Sequence, residues 1–348
     1  QHAELAETVV AIRELSRNRR RAVAILGDLQ GPKIRTGLMR GGRMTLTAGQ
    51  SVEVTTDDVL GEKNLIPTNY LALPQDVSIG DRILLDDGLL ELRVEKVQDG
   101  RVHCLVLVGG ELKDRKGMNL PGVKVSAPAL TEKDLIDLDF SIRQELDYLA
   151  LSFVRSAADV VQLKELLFAR HSSVKVVAKI EKPEAVENFA EILEAADGIM
   201  VARGDLGVEI HPEKVPLIQK RIIRECNLAG KPVITATQML ESMVHSPRPT
   251  RAETSDVANA ILDGTDAVML SAETATGKYP VEAVAMMVRV AEDVESDPQL
   301  QERLFHPLSE QSGYRRLPEA IGQAACRVAE SVGAAAILAF TQTGSTAA

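Results

Sequence analysis

The sequence predicts an α/β fold in which parallel strand-and-helix units build a barrel and a small antiparallel β domain interrupts it. Three observations carry this expectation. From about residue 130 onward, short apolar runs alternate with helical patterns, the signature of βα units. Between residues 36 and 127 the apolar positions instead recur with period two and glycine-containing turns cut the chain often. Finally, the positions just past the apolar runs are conspicuously polar, as the rim of a parallel barrel requires.

Taken in order, the chain opens on an amphipathic helix pattern (Leu5, Val9, Ile12, Leu15) that ends in the basic run Arg17 to Arg21, where cations favour the helix dipole. Residues 22–26 follow as a first parallel strand. The inserted domain shows its alternation at Met44 and Leu46, at Val52 and Val54, and at Leu90, Leu92 and Val94, with turns at Gly41-Gly42, Asp87-Gly88 and Asp99-Gly100. Five further strands are predicted at 148–153, 174–180, 198–201, 232–237 and 267–270. The segments between them carry helix-start chemistry at Thr131 before Asp134, Ser156, Pro183, Pro212 and Thr250. Near the far end, residues 318–332 read as a helix, 334–340 as a strand, and 341–346 as a loop. Six parallel strands are visible where a (βα)₈ barrel has eight. Because the sequence begins on a helix and stops inside an element, it is expected to be a partial chain with structure missing at both ends.

Composition narrows the class of function. Of 348 residues, 45% are apolar and 26% charged, and no run approaches the roughly 18–20 apolar residues that span a bilayer. Residues 1–15 mix Glu and His with apolar residues and lack a signal peptide's hydrophobic stretch, so a cytoplasmic location is the default. The formal net charge of −10 has the wrong sign for general polyanion binding and argues against nucleic acid. Cys104, Cys226 and Cys326 are too far apart for a local metal cluster and read as buried thiols.

Strand ends that share one barrel rim bring together Asp28, Ser152, Lys179 with Glu181, Arg203-Gly204-Asp205, Thr237-Gln238, and Ser271 with Glu273. A hard divalent cation such as Mg²⁺ takes only one or two protein carboxylates and completes its shell with water and substrate oxygens. Glu181 and Asp205 fit that requirement, although residue types alone read equally well as solvated loop acids. Gly204 and Gly207 flank Asp205 and Leu206, so backbone N–H groups there can approach an anion, or the glycine can simply make a turn.

At these residues the sequence resembles a known family. Val177-Ala178-Lys179-Ile180-Glu181 is similar to the pyruvate kinase signature, in which a strand ends in lysine, an aliphatic residue and glutamate. Further agreement runs through the stretches 27–37, 200–207, 235–243 and 247–253, and through Lys116-Gly117-Met118-Asn119-Leu120-Pro121-Gly122 in the inserted domain. The resemblance implies a (βα)₈ TIM barrel with an inserted small β-barrel domain and the start of a C-terminal α/β domain. Its expected boundaries are 1–35 and 128–300 for the barrel, 36–127 for the inserted lid, and 318–348 for the start of the C-terminal effector domain. It also implies that the first two barrel strands, one of which bears the family's substrate-phosphate arginine and alkali-cation ligands, lie outside this sequence.

The activity implied is phosphoryl transfer from phosphoenolpyruvate to ADP, giving pyruvate and ATP in the last step of glycolysis. By resemblance, Glu181 and Asp205 hold Mg²⁺ or Mn²⁺, and Lys179 stabilises charge on the phosphoryl group in flight. Lys179, Gly204, Asp205 and Thr237 contact the substrate, with Thr237 also helping to relay a proton. Arg35 and Lys116 contact nucleotide phosphates, with Lys116 brought in by lid closure. Arg251 matches a position that reaches across the interface of a homotetramer, and a sugar-phosphate allosteric effector is implied, with residues 341–346 resembling the start of its phosphate loop. Two departures point away from a K⁺ requirement. Lys33 stands where many members have glutamate, and Leu29 stands where potassium-dependent relatives have threonine, leaving Asp28 as a candidate alkali-cation ligand. A barrel lyase or aldolase acting on pyruvate enolate would share the two carboxylates but needs no β-rich lid. A binding-only relative would be expected to lose Lys179, Glu181, Asp205 or Thr237, and all four are present.

Overall fold

The computed structural model describes residues 2–297 and 317–339, arranged as two compact units. The first holds residues up to 223 together with 231–238, and the second holds 224–230 and the residues from 239 onward.

In the first unit, strands Leu26–Leu29, Tyr148–Leu151, Lys175–Ile180, Gly198–Ala202 and Val233–Ala236 follow one another in a single sheet. All four of these pairings are parallel, with Leu26 opposite Tyr148, Tyr148 opposite Lys175, Val177 opposite Gly198, and Ile199 opposite Val233. Such strands are buried on both faces. Leu149, Ala150, Leu151, Val176, Ala178, Ile180, Ile199 and Val201 are accordingly sealed from solvent. The sheet explains one departure from expectation. The first strand begins at Leu26 rather than at residue 22, since the register with Tyr148 starts there, and Val23 remains exposed.

Helix starts follow the local chemistry. Thr131 and Ser156 each close a capping box, with Asp134 and Asp159 respectively at the third helical position, and Pro183 opens its helix. The N-terminal helix His2–Arg19 forms as expected but buries no residue completely. It is held by His2 stacked on Phe140, by the His2 Nε2 contact with Asp137 Oδ1 at 2.8 Å, and by Arg13 paired with Asp147 at 2.9 Å.

Residues 43–119 form the expected β-rich insertion. One sheet runs in the order Leu65–Pro67, Ser51–Thr55, Arg101–Val108, Leu90–Gln98, Arg82–Leu85, Met118–Asn119, and Arg43–Leu46 pairs separately with Gly110–Lys113. The pairings are antiparallel except that of Ser51–Thr55 with Leu65–Pro67, which is parallel. Period-two burial is plain in Val52, Val54, Leu92, Val94, Val102, Cys104 and Val106, all at 2% exposure or less. The hairpin between the two longest strands turns at Asp99-Gly100, both at positive φ (51° and 74°), the two-residue geometry that favours Asp-Gly.

The second unit packs the helices Arg251–Leu262 and Pro280–Glu295 around Met239, Leu240, Met243, Val257, Ala260, Ala283, Met287 and Val290. Thr250 caps the first of these helices through a capping box with Glu253. The sixth expected strand is short, Ala267–Val268, and the helix near the far end spans Leu317–Ser331. Residues 334–339 are not a strand, contrary to expectation, because nothing among the described residues pairs with them. The expected loop at 341–346 lies outside the described residues. Cys104 and Cys226 are buried thiols as expected, whereas Cys326 is half-exposed. No described helix is long and apolar enough to cross a membrane.

Candidate active site

Five strand ends of the first unit deliver the expected side chains to one rim. Lys179, in the strand Lys175–Ile180, places its Nζ 3.1 Å from Glu181 Oε1, 3.1 Å from Asp28 Oδ2 and 2.8 Å from Ser152 Oγ. Glu181 is 1% exposed on its side chain, and its second oxygen accepts the Phe153 backbone N–H at 2.7 Å. Phe153 adopts a positive φ of 55°, which turns its N–H from the strand direction toward the carboxylate. The Gly27–Gly37 stretch is positioned from below. Gly31 N donates to Asp134 Oδ1 at 3.1 Å, the same carboxylate that caps the helix Glu132–Arg143. At Gly31 φ is +66° and a Cβ would meet Ser152 O at 3.1 Å, so glycine is required there.

Burial dominates the electrostatics. It pushes the Glu181 carboxyl up to about 7, opposed by the Lys179 cation and reinforced by the negative charge of Asp205. Burial also pulls the Lys179 ammonium down, but Glu181 and Asp28 outweigh it and hold its pKa above the usual lysine value. A perturbed acid paired with a perturbed base at a barrel rim marks a functional site. The Glu181–Asp205 pair suits a hard divalent cation, since a carboxylate sealed from water and repelled by a second one gains from a shared positive charge. Among the described residues no group of three or more His, Cys, Asp or Glu is placed to hold a metal ion by protein ligands alone.

Asp205 and Gly204 sit at the start of the short helix Arg203–Glu209. Gly204 N donates to Thr237 Oγ1 at 2.7 Å, and Thr237 Oγ1 donates to Ala236 O at 2.7 Å. Thr237 and Gln238 both lie at positive φ, 69° and 55°. For a β-branched residue this is backbone strain of about 1–3 kcal/mol, which persists only where the surroundings enforce it. Arg203 supplies that enforcement, donating from Nη2 to Thr237 O at 2.7 Å and from Nε to Ala236 O at 3.3 Å.

The inserted domain brings the remaining candidates. Arg35 forms an isolated bridge with Gly117 and donates from Nη1 to Arg115 O at 3.1 Å. Lys116 points its ammonium at Asp86 Oδ1, 2.8 Å away. Lys33 does not sit on Asp28; it reaches Asp205 Oδ1 at 3.6 Å and lies 6.0 Å from the centre of the Phe153 ring. Arg251 belongs to the second unit, at the first position of its helix. Sequence reasoning passed over Lys182, Asn119 and Glu209, which form a polar cluster at the edge of this site. Lys182 Nζ is 2.6 Å from Glu209 Oε1, and Asn119 Nδ2 donates to the same oxygen at 2.8 Å. Lys182 and Glu209 were signalled only by position, directly after Glu181 and four residues after Asp205, whereas Asn119 lay within the 116–122 stretch without a role of its own.

The family described as "Pyruvate kinase, barrel domain" matches residues 1–284. The "Pyruvate kinase" of Geobacillus stearothermophilus is 51% identical across 99% of this chain and 59% of its own length. "Pyruvate kinase 2" of a Synechocystis strain is 49% identical across 99% of this chain and 58% of its own. The chain thus spans about 59% of the length of the curated relatives it matches. In three dimensions, the crystal structure of a pyruvate kinase from Cryptosporidium parvum superposes with a TM-score of 0.92 at 45% identity, covering 100% of this chain and 72% of that one.

Proposed function

The chain belongs to the pyruvate kinase family, and we propose that it forms the catalytic body of an enzyme transferring the phosphoryl group of phosphoenolpyruvate to ADP, the last step of glycolysis in the cytoplasm. The observation that carries this reading is the Lys179 ammonium clamped by the sealed Glu181 carboxylate and by Asp28 at one barrel rim. In phosphoryl transfer the P–O bond to the enol oxygen breaks as the bond to the ADP oxygen forms, and negative charge spreads over the oxygens in flight. Catalysis is then mostly a matter of placing fixed positive charge where that charge develops. Lys179 faces the phosphoryl group and the enolate oxygen left behind. The backbone at Gly204 and Asp205 receives the substrate carboxylate, and Thr237, or a water it orients, delivers the proton that converts enolpyruvate to pyruvate.

Glu181 and Asp205 are the residues that would hold a divalent Mg²⁺ or Mn²⁺ ion, which when bound supplies Lewis-acid neutralisation of the substrate oxygens. Arg35 and Lys116 take the nucleotide phosphates, and the inserted domain (36–127) acts as a lid between the two parts of the barrel (1–35 and 128–300). Its closure excludes water that would otherwise hydrolyse the phosphoryl group. K⁺ is not required in this reading, because Lys33 stands where many family members have glutamate and Leu29 where potassium-dependent relatives have threonine. A homotetramer in which Arg251 steadies a neighbour's 202–204 loop, and a sugar-phosphate effector bound by a C-terminal domain beginning near 318, complete the proposal. Coupling the full-length protein to lactate dehydrogenase tests the central claim. NADH loss that depends on phosphoenolpyruvate, ADP and Mg²⁺ together is expected, and its absence would overturn the assignment.

A further inference from the structure

Three stretches that each carry or adjoin a proposed site residue meet at one carboxylate oxygen. Glu209 ends the helix Arg203–Glu209 that begins beside Asp205. Lys182 follows Glu181 directly. Asn119 ends the inserted-domain strand Met118–Asn119, which pairs with Leu84–Leu85 next to the Asp86 that holds Lys116. The Lys182 ammonium and the Asn119 amide both contact Glu209 Oε1, at 2.6 and 2.8 Å. The Glu209 side chain is 1% exposed and that of Lys182 13%, and Asn119 is buried. The cluster stands at a seam. Lys182 and Asn119 line a cavity with Lys33 and Phe153, while Glu209 lines a separate cleft with Arg82, Gly88 and Gly122 of the inserted domain.

A buried carboxylate needs partners, and here one partner belongs to the barrel and the other to the lid. Moving the lid away removes Asn119 and leaves Glu209 with Lys182 alone, so the docked position is favoured by a bond that exists only there. We propose that Glu209 is a positioning residue that docks the inserted domain, through Asn119, against the strand end carrying Glu181, and so fixes where Lys116 stands over the site. This rests on the reading of Lys116 and Glu181 as parts of one phosphoryl-transfer site.

The test reverses the polarity of the bond in the full-length protein. Asn119→Asp sets a carboxylate against Glu209 and breaks the dock. Combining it with Glu209→Gln restores a donor–acceptor pair in the opposite sense and keeps one carboxylate beside Lys182. Hydrogen exchange of residues 112–121 reads docking without turnover, and the coupled assay reads its consequence. For Asn119→Asp, faster exchange in that strand is expected, with kcat/KM for ADP down about tenfold and KM for phosphoenolpyruvate changed less than about twofold. The double variant should return both readings to within about threefold of wild type. A purely structural role would lower both substrates' parameters together, and a double variant as impaired as the product of its singles would overturn the proposal. So would unchanged exchange in Asn119→Asp, or in Asn119→Ala should the aspartate variant not fold. If wild type shows no transfer while exchange still follows the polarity swap, the activity reading fails and the docking role stands.

Discussion

Replacing Lys179 with methionine separates two consequences of a single charge. The variant keeps most of the side-chain volume but loses an ammonium lying 3.1 Å from Glu181, 3.1 Å from Asp28 and 2.8 Å from Ser152. Deleting one partner of a buried ion pair ordinarily costs about 3–5 kcal/mol, because the survivor stays charged and unpaired. Glu181 escapes most of that cost, since its carboxyl titrates at about 7 and a proton can take the place of the lost cation. Asp28 is 58% exposed on its side chain, so water replaces its partner. What remains is the loss of a few hydrogen bonds, about 1–2 kcal/mol at pH 6.

Above that pH the cost grows. Glu181 has a reference value of 4.5 in the unfolded chain and about 7 when folded. The folded state therefore holds an extra proton between those values, and the stability of the metal-free wild type falls as pH rises through that window, levelling above it. Without Lys179 the folded value climbs further and the fall continues past 7. The stability gap between the two proteins should then widen by about 1.4 kcal/mol for each pH unit above 7. Urea unfolding in EDTA at pH 6, 7 and 8 measures the gap. A gap that is equal at pH 6 and 8, or that closes at pH 8, refutes the reasoning. Phosphoryl transfer in the same preparations should fall by at least about 10²–10³-fold, and near-normal turnover would remove Lys179 from the mechanism.

Glu181→Gln removes the charge of a proposed metal ligand without changing shape, so the Mg²⁺ concentration for half-maximal activity should rise about 10–100-fold; an unchanged metal titration would sink that assignment. In tetramethylammonium buffer free of K⁺, wild type should turn over fully, and KCl should activate only Lys33→Glu. Many-fold activation of wild type by KCl would show that Lys33 does not replace the ion. Sedimentation of the full-length protein should give a tetramer, and a fully active monomer would disprove the role given to Arg251.

Much of the fold could be read from the sequence because its rules are local. Thr131, Ser156 and Thr250 announce helix starts that form as expected, each closed by a capping box, and the alternation around Val52 and Leu92 announces a half-buried sheet. Strand positions that depend on a partner were less legible. The apolar residues Ala22 to Ile25 look like a strand, yet pairing starts at Leu26 because Tyr148 fixes the register. Residues 334–339 look like one too and have no partner among the described residues. At the site, residue types and order gave Lys179, Glu181, Asp205 and Thr237. They could not give the left-handed backbone of Phe153 and Thr237, nor the pairing of Lys33 with Asp205 rather than an approach to Asp28. Those depend on which loops lie side by side in space. The same is true of Glu209, whose importance lies in two donors remote from it along the chain.

The insertion also bears on how the chain folds. The strand Leu26–Leu29 must find Tyr148–Leu151, paired residues lying 122 positions apart along the chain, as the Ile25 N–H bond to Asp147 illustrates. Closing so long a loop while it is disordered is an entropic barrier, whereas most of that loop is a β unit with a hydrophobic core of its own. Once the unit has folded, the span left to close is only the two short linkers and the helix Glu132–Arg143, a saving of about 1 kcal/mol in closure entropy if the effective loop shrinks roughly fourfold. The barrel edge is therefore expected to seal after the insertion has folded, and a mutation that slows the insertion's hairpins should delay assembly of a sheet to which they contribute no strand.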